Sequence, residues 1–348
     1  MKSQARSLRQ RLFEPTGLDR QAPVPKIATY ALLLVWSLVV LVPLYWVLVT
    51  SFKLPGHVDN GPFYIPFVDF TPSLQAWDFM LLQNNTLGPY LNSVVVALAS
   101  TIIAVVVGAL AAYALVRTRV SVKIVTVAVF LVLLVALIAA IAIFGIPWEI
   151  ALSVAAALFL IALFTIARRT RLALGNRDIE FWIISNRIMP PIVAVLPIYV
   201  MFQQLRLLDT QLALIATYTA INLPIVVWLT RDFFAAIPVD LEESAEIDGA
   251  SKFRVFFTIA LPLVRSGLVA TFLLVLILAW NEYLLALFLS NANAQTMPVL
   301  VSAQNTTRGP QWWNMSVLIV IMIAPVIAIA AVLQKHIARG LLVGAVKG

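Results

Sequence analysis

The chain has 348 residues, of which 62% are hydrophobic and only 11% are charged, with a formal net charge of +8. A soluble domain has about a quarter of its residues charged, so most of this surface must face lipid rather than water. The absence of cysteine excludes disulfides and thiolate metal sites, and the two histidines, His57 and His336, lie too far apart in the sequence to suggest a metal-binding pair.

The first 26 residues form a polar, basic tail, and an apolar run at 27–51 follows it. That run is longer than the roughly 7–15-residue core of a cleaved signal peptide. We therefore interpret it as a retained first span. Residues 27–121 are predicted to hold the first two spans, with a periplasmic loop at 52–86 between them.

A helix that crosses the hydrocarbon core of a membrane needs about 20 apolar residues. Eight runs of about this size occur, and only the seventh contains a charge: 27–51, 88–116, 124–148, 150–167, 188–205, 210–230, 266–290 and 316–334. The sequence therefore predicts an all-α polytopic membrane protein with about eight transmembrane helices.

The positive charges set the orientation of these spans. With the N-terminus in the cytoplasm, 21 of the 24 Lys and Arg residues fall on inside segments, and only Lys53, Arg206 and Arg308 fall outside. Because positive residues concentrate on the cytoplasmic side, we predict that both termini are cytoplasmic and that the membrane is the bacterial inner membrane. This bias explains the net charge without nucleic acid, which we do not expect as a partner.

A long cytoplasmic segment at 233–262 separates the sixth and seventh predicted spans. Pro238 should end the preceding helix, and Asp240 is predicted to cap a new one, with Glu243 as its capping-box partner. Gly249 is placed to end that helix in the left-handed conformation.

A second short helix is predicted at 251–260, and Pro262 should open the seventh span, where a missing N–H costs nothing. The result is a helix–turn–helix elbow outside the membrane, with small residues at Ala245, Gly249 and Ala250 that allow another protein to approach closely. On periodicity alone, the elbow is equally an amphipathic connector that rests on the lipid headgroups.

The elbow carries a spaced motif. Glu243 opens a Glu-Ser-Ala triplet that stands three residues before Gly249, and an Ile-Ala-Leu-Pro sequence at 259–262 begins after nine more residues. This spacing resembles the cytoplasmic EAA loop of bacterial ABC importer permeases, in which the triplet is Glu-Ala-Ala. The departure is Ser244, which replaces one small residue by another.

Other motifs resemble the carbohydrate-uptake branch of that family, the branch that contains the maltose permease G-type subunit. They are Leu-Asn-Ser at 91–93, Arg-Ile-Met-Pro-Pro at 187–191, Trp-Asn-Glu at 280–282 and the ending at 340–348. The likeness extends from about residue 28 to the end of the sequence, with one block excepted.

The resemblance implies a heterodimer with a second permease subunit, an ATPase dimer at the cytoplasmic face and a periplasmic solute-binding protein. It implies that the coupling contacts with the ATPase lie on five residues of the elbow: Glu243, Ser244, Ala245, Asp248 and Gly249. The sequence has no G-x-x-x-x-G-K-[ST] phosphate loop. We therefore predict that the chain is not an enzyme, that it has no catalytic residue, metal or cofactor of its own, and that ATP and Mg bind to the partner ATPase.

The excepted block lies at 122–176 and supplies the third and fourth predicted spans. Family members of this type have six core spans, so the block is predicted to be an inserted two-span hairpin, and 177–348 returns to the core. With no charge inside the membrane, the hairpin suits a peripheral position that faces lipid. The alternative is a docking surface for another membrane subunit.

Glu282, Asn281 and Asn222 are polar residues within predicted spans. A charge in a span is costly unless it is paired or hydrated, so such residues often mark a transport path. The other interpretation of Glu282 is a structural hydrogen bond to a neighbouring span, and its place in the Trp-Asn-Glu motif favours that role. The two asparagines suit a small neutral hydroxylated solute, which the resemblance predicts to be a sugar or polyol.

A secondary, ion-coupled transporter is the alternative function. It would need several ionisable groups inside the membrane, and Glu282 is the only carboxylate well within a predicted span. A membrane-embedded enzyme would need a cluster of His, Asp, Glu or Ser at a membrane face, which the sequence does not provide. Only the EAA spacing argues against a purely structural subunit.

Overall fold

The structure is a computed structural model that describes residues 22–119, 121–169, 173–185, 190–307 and 309–345. The described part of the chain is mostly helical and also contains two short antiparallel ribbons. The prediction of a helical fold is thus confirmed. Predicted features at 1–21 and 186–189, including most of the Arg-Ile-Met-Pro-Pro motif, lie outside the described residues.

The helices are, in chain order, α1 (Pro23–Thr50), α2 (Pro55–Asp59), α3 (Gln75–Asp78), α4 (Leu87–Arg117), α5 (Ile124–Ala142), α6 (Trp148–Arg169), α7 (Asn176–Ser185), α8 (Pro191–Gln204), α9 (Gln211–Ala235), α10 (Val239–Ile247), α11 (Lys252–Val255), α12 (Leu261–Leu263), α13 (Arg265–Trp280), α14 (Leu284–Leu289), α15 (Met297–Ala303) and α16 (Trp312–Ala345). Two π-helical turns interrupt this series, at Phe79–Gln83 and Phe256–Ala260. The strands are β1 (Val122–Lys123), β2 (Ala173–Leu174), β3 (Asn305–Thr306) and β4 (Gly309–Pro310).

The chain divides into two compact units. The first unit comprises the described residues within 22–89 and 297–327, and it contains α1, the short helices α2 and α3, α15, the β3–β4 ribbon and the first part of α16. The second unit comprises the described residues within 90–296 and 328–345 and contains most of α4, the helices α5 to α14 and the rest of α16.

Within the part of the chain that the structure describes, five helices are long and apolar enough to cross a membrane, namely α1, α4, α5, α9 and α16. A sixth candidate is the segment from α11 to α13, which bends by 78°. The helices at the fourth and fifth predicted spans, α6 and α8, are also apolar. Their described apolar segments, Glu149–Thr165 and Pro191–Gln204, are shorter than those of the five long helices. The structure therefore describes a polytopic helical membrane protein with five or six long apolar helices.

The seventh predicted span is not one continuous helix, which corrects the sequence interpretation. Helix α13 ends at Trp280, and α14 starts only at Leu284. The amide of Asn281 donates to the Ile277 carbonyl at 2.8 Å, and the Glu282 carboxylate accepts from the Leu285 N–H at 3.0 Å. These side chains take backbone partners and so compete with continuation of the helix.

The block at 122–176, which the sequence predicts to be an insertion, forms a closed hairpin. Helices α5 and α6 pack against each other, and Phe130 meets Phe159 with 5.9 Å between ring centroids. The chain enters the hairpin through β1 and leaves through β2, and these strands pair antiparallel with Val122 opposite Leu174. Most of the described side chains of both helices are exposed, as expected for helices that lipid surrounds.

The core that supports the elbow lies within the second unit. It joins buried residues of α4, of α9, of the second π-helical turn and of the short connections before α10 and α13: Ala109, Ala112, Leu115, Val227, Phe234, Ile237, Phe256, Ala260 and Val264. Two glycines allow the helices to approach closely, because a side chain at Gly108 would overlap Val226 and one at Gly267 would overlap the ring of Phe233.

Candidate functional site

The first helix of the elbow is α10, and its start differs from the sequence prediction. Pro238 occupies the N-cap position with φ −58° and ψ 130°, and no side chain caps the helix. Asp240 therefore lies inside the first turn, and its predicted capping box with Glu243 is wrong. The fixed backbone of Pro238 starts the helix before Asp240, where the aspartate can still interact favourably with the helix dipole.

The end of α10 agrees with the prediction. Gly249 has φ +86°, which is the left-handed conformation that glycine adopts without strain. Its N–H donates to the Glu246 carbonyl at 3.0 Å, and the Ala250 N–H donates to the Ala245 carbonyl at 2.9 Å. This pair of bonds is a Schellman motif, which turns the chain sharply into the second helix of the elbow.

That second helix is shorter than predicted. Ser251 caps α11, its hydroxyl accepting from the Arg254 N–H at 3.4 Å, but the regular helix ends at Val255 and the π-helical turn follows. Pro262 lies in the three-residue helix α12, and the bend falls at Val264 before α13 begins. The proline therefore precedes the next long helix rather than opening it.

The predicted coupling residues lie on the open side of α10. Glu243, Ser244, Asp248 and Gly249 are exposed, and Ala245 is half-buried. The hydroxyl of Ser244 donates to the Asp240 carbonyl of the preceding turn at 2.7 Å.

Large apolar side chains of the elbow are exposed as well. Leu241 is 49% exposed, Ile247 86% and Phe253 74%. Exposed apolar groups together with charged ones are typical of a surface that another protein covers.

One residue of α10 is buried, and it is Glu242 rather than the neighbouring Glu243. Its carboxylate accepts from the Tyr113 hydroxyl at 2.7 Å and from Arg117 Nε at 2.8 Å. The Arg117 guanidinium also donates to the carbonyls of Phe234 at 3.2 Å and Ile237 at 2.9 Å. We call this set of contacts the Glu242 anchor; it joins α10, the last turns of α4 and the end of α9.

The Glu242 anchor is shielded from water, since the side chains of Arg117 and Glu242 are 14% and 7% exposed. Phe256 and Phe234 lie beside Tyr113, with ring centroids 5.0 and 5.5 Å from its own. Desolvation makes an unpaired charge expensive there, so loss of either partner of such a pair costs about 3–5 kcal/mol. The anchor therefore fixes α10 to α4.

A second carboxylate holds a loop in the same unit. Asp209 lies in the turn between α8 and α9 and accepts four backbone N–H bonds from the loop after α14, at 2.7 Å from Asn291, 3.2 Å from Ala292, 3.0 Å from Asn293 and 2.9 Å from Ala294. Burial raises the pKa of Asp209, but these donors outweigh it and hold the pKa below its ordinary value. We call this set of contacts the Asp209 anchor.

The Leu-Asn-Ser motif contributes to the same region. The amide of Asn92 donates to the carbonyls of Asn293 at 2.8 Å and Gln295 at 3.0 Å, and its oxygen accepts from the Gln211 side chain at 2.6 Å. Asn92 thus ties the start of α4 to the start of α9 and to the loop that Asp209 holds.

The three polar residues predicted within spans form no single cluster through hydrogen bonds that the structure describes. Asn222 is buried and donates to the Tyr218 carbonyl of its own helix at 2.9 Å. Asn281 and Glu282 bond within the break between α13 and α14, where the Tyr218 hydroxyl donates to the Glu282 carbonyl at 3.2 Å. The bonds of the Glu282 carboxylate favour the structural interpretation, and roles in a solute path remain predictions.

Sequence reasoning missed the residues that hold the elbow: Tyr113, Arg117 and Glu242. It also missed Asp209 and the ion pair of Arg231 with Glu180 at 2.6 Å, which ties α9 to α7. A single sequence carries no signal that links positions so far apart: Arg231 and Glu180 are separated by 51 residues, and Tyr113 and Glu242 by 129. The one local clue was Arg117 itself, which ends a long apolar run at the predicted membrane boundary.

Known proteins are similar to this chain in sequence and in fold. The sequence profile described as "Binding-protein-dependent transport system inner membrane component" matches residues 179–343. A protein of Streptomyces antibioticus whose name assigns it to the ABC transporter permeases is 32% identical over 203 residues, which are 57% of this chain and 87% of that protein. The diacetylchitobiose uptake system permease protein of Streptomyces coelicolor is 28% identical over 315 residues, which are 89% of this chain and 85% of that protein.

A solved structure supports the fold. One chain of a bacterial ABC transporter involved in the import of the acidic polysaccharide alginate is similar with a TM-score of 0.58 and 20% sequence identity, over 90% of this chain and 96% of that one. The fold is therefore that of an ABC importer. The present chain belongs to the family of binding-protein-dependent permeases, the inner-membrane components of ABC transporters.

Proposed function

We propose that this chain is one of the two permease subunits of an ATP-driven, binding-protein-dependent importer, and that α10 couples it to the ATPase. The observation that carries this proposal is a short helix with one face open and the other fixed by the Glu242 anchor. The proposal includes eight spans with both termini in the cytoplasm, an ATPase dimer that binds ATP and Mg, and a periplasmic binding protein that delivers the solute.

The anchor explains how a movement of α10 would reach the membrane. The Glu242 carboxylate binds side chains of α4, and Arg117 also binds the end of α9. Both α4 and α9 are long enough to cross the membrane. A force on the open face of α10 would therefore act on two spans at once, instead of being lost in a flexible loop.

The open face offers what a partner protein needs. Its exposed Leu241 and Ile247 supply apolar area, and Glu243 and Asp248 supply charges for a basic rim on the ATPase. Burial of apolar side chains contributes roughly 25 cal/mol per Å². We infer that the ATPase covers this face of α10. The opposite side, which carries Glu242, packs against α4 and is therefore not accessible to the ATPase.

For the solute we propose a small neutral sugar or polyol. The support is the likeness to a permease named for diacetylchitobiose uptake, which extends over most of both chains. Few charged side chains lie within the predicted spans among the described residues, and such a path suits an uncharged solute.

The test compares two glycine variants of the full chain, purified in mild detergent from the native host. Gly249→Trp places a bulky side chain on the open side of the elbow, and Gly145→Trp places one in the turn between α5 and α6. Both glycines have positive φ, +86° and +64°, and neither would meet another atom within 4 Å of an added Cβ. The backbone strain of about 1–2 kcal/mol is therefore matched between them.

The wild type and Gly145→Trp are expected to retain an ATPase and a second permease, identified by mass spectrometry, whereas Gly249→Trp should lose the ATPase and keep the second permease. Solute uptake should be lost with the ATPase. A wild type that purifies without any nucleotide-binding partner would contradict the proposal, and equal loss in both variants would show that strain alone, not contact, is responsible.

A further inference from the structure

The first unit contains a cleft of about 680 Å³ with both polar and apolar walls. Its walls come from the end of the loop after α1, from α3 with the first π-helical turn, and from the start of α16. None of the residues predicted for coupling or for a solute path lines it. We call it the Lys53 cleft, after the buried cation in its wall.

Lys53 is only 3% exposed, although it lies in a loop. Its Nζ stands 4.6 Å from the ring centroid of Trp46 and 5.5 Å from that of Phe70. Within the part of the chain that the structure describes, no carboxylate lies within 4 Å of it. Burial lowers the pKa of Lys53, and the nearby Asp69 only partly opposes this. The two ring faces stabilise the ammonium group, and a hydroxyl oxygen of a ligand would add a hydrogen-bond acceptor for it.

The other lining side chains suit hydroxyl groups. Gln75 and Gln83 offer exposed amides that can both donate and accept, and Asp78 can accept from hydroxyls. Asn314 is buried and its amide donates to the Gln311 side chain at 2.7 Å, so it is less available to a ligand. Trp313 offers an aromatic surface of the kind that packs against the C–H face of a sugar ring. The volume falls within the roughly 300–1,000 Å³ of small-molecule sites.

We propose that the Lys53 cleft binds a neutral, polyhydroxylated solute of about disaccharide size on the periplasmic side of the permease. This inference rests on the proposed function, because the orientation of the chain places the cleft outside. The Lys53 cleft would be a second solute-binding site of the subunit, in addition to any site within the spans.

Two features of the cleft decide the class of ligand. Asp78 shares the lining with Lys53, so the cleft offers one charge of each sign and does not favour an acidic sugar over a neutral one. A concave site of this volume fits a small molecule better than the broad surfaces that proteins usually present to each other.

The test uses the full chain in lipid nanodiscs, without its partners, and measures binding by calorimetry. The probes are maltose, trehalose and N,N′-diacetylchitobiose as neutral disaccharides and digalacturonic acid as an acidic one. Gln75→Ala and Gln83→Ala remove exposed lining amides, Lys53→Met removes the cation, and Asn60→Ala is the matched control, since Asn60 is exposed in the same loop region but does not line the cleft. Thermal unfolding checks that each variant is folded.

The wild type should bind at least one neutral disaccharide more tightly than digalacturonic acid. Each glutamine variant should weaken that binding about fivefold, the effect of one lost hydrogen bond. Lys53→Met should abolish it, and Asn60→Ala should leave it unchanged. Because the two glutamines are exposed, their variants remain informative if Lys53→Met does not fold.

The inference is overturned if no probe binds, if the acidic sugar binds best, or if the glutamine variants bind as the wild type does. Co-purification of the ATPase from the native host separates this failure from failure of the proposed function. If the ATPase co-purifies but the chain binds no sugar, the proposal of a sugar site in the Lys53 cleft is contradicted and the proposed function stands. If sugar binds and binding depends on Gln75 and Gln83, but no ATPase co-purifies, the sugar site is supported and the proposed function is contradicted.

Discussion

Two carboxylates hold two loops of the second unit, and they do so by different chemistry. Glu242 is buried and binds the side chains of Tyr113 and Arg117. Asp209 is half-buried and binds backbone N–H groups of the loop after α14, including those of Asn291 and Ala294. Side-chain partners can be lost by a single substitution, whereas backbone donors are present whatever the loop sequence. The Glu242 anchor is therefore the more specific attachment and the more vulnerable one.

The largest effect is expected for Glu242→Ala. The change leaves the Arg117 guanidinium buried without its carboxylate, which should lower the free energy of unfolding by about 3–5 kcal/mol. Hydrogen exchange should rise throughout α10, and uptake should decouple from ATP hydrolysis in the assembled importer.

Two variants control this experiment. Glu243→Ala removes the exposed neighbour on the same helix and should change stability by no more than about 0.5 kcal/mol. The double variant Arg117→Met with Glu242→Met should recover part of the loss, because no charge is then left unpaired. Equal effects of Glu242→Ala and Glu243→Ala would contradict the anchor.

A smaller effect is expected for Asp209→Ala. It leaves four N–H groups without their acceptor and places alanine at a φ of +58°, which together should cost about 1–3 kcal/mol, with water replacing part of the loss. Asp209→Asn keeps one acceptor oxygen and tolerates the positive φ, so it should cost less. Thermal unfolding measures both, and an Asp209→Ala variant as stable as the wild type would contradict the dependence of the loop on the acceptor.

The smallest effect concerns pH. Since the folded state lowers the pKa of Asp209 below its ordinary 3.8, the charged anchor stabilises the fold above that value and is lost as the pH falls below it. The difference in Tm between the wild type and Asp209→Asn should therefore be constant from pH 7 to about pH 5 and shrink below pH 4. A difference that stays constant down to pH 3 would show that the charge of Asp209 does not matter.

The sequence located the elbow but not the residue that fixes it. The sequence predicted a left-handed Gly249 at the end of the first elbow helix and placed Glu243 among the coupling residues. The structure shows the left-handed glycine, and Glu243 is exposed. The segment Asp-Leu-Glu-Glu offers several acidic residues in one turn, and which of them is buried depends on how α10 is rotated against α4. That rotation is set by tertiary packing around Phe234 and Phe256, which periodicity in one segment cannot give.

The seventh predicted span shows the same limit for the membrane helices. The number of apolar residues at 266–290 predicted one continuous helix, because a single charge hardly lowers the mean hydropathy of so long a run. The backbone instead follows the local bonds of Asn281 and Glu282. The sequence did contain a signal for the break, namely two adjacent polar residues in an apolar run. We interpreted these two residues as polar sites within a continuous helix rather than as the end of the helix.

The ribbon that closes the α5–α6 hairpin has a consequence for how this gene could change. Val122 and Leu174 are direct partners across the ribbon, so the chain enters and leaves the hairpin at almost the same point. Asn176, just beyond the ribbon, donates to the carbonyl of Thr118 at 2.7 Å and so holds the start of α7 beside the end of α4 independently of the hairpin. The α5–α6 segment could therefore be replaced by a short linker or by another pair of helices. Such a change would leave the path of the chain through the elbow, α4 and α9 as it is.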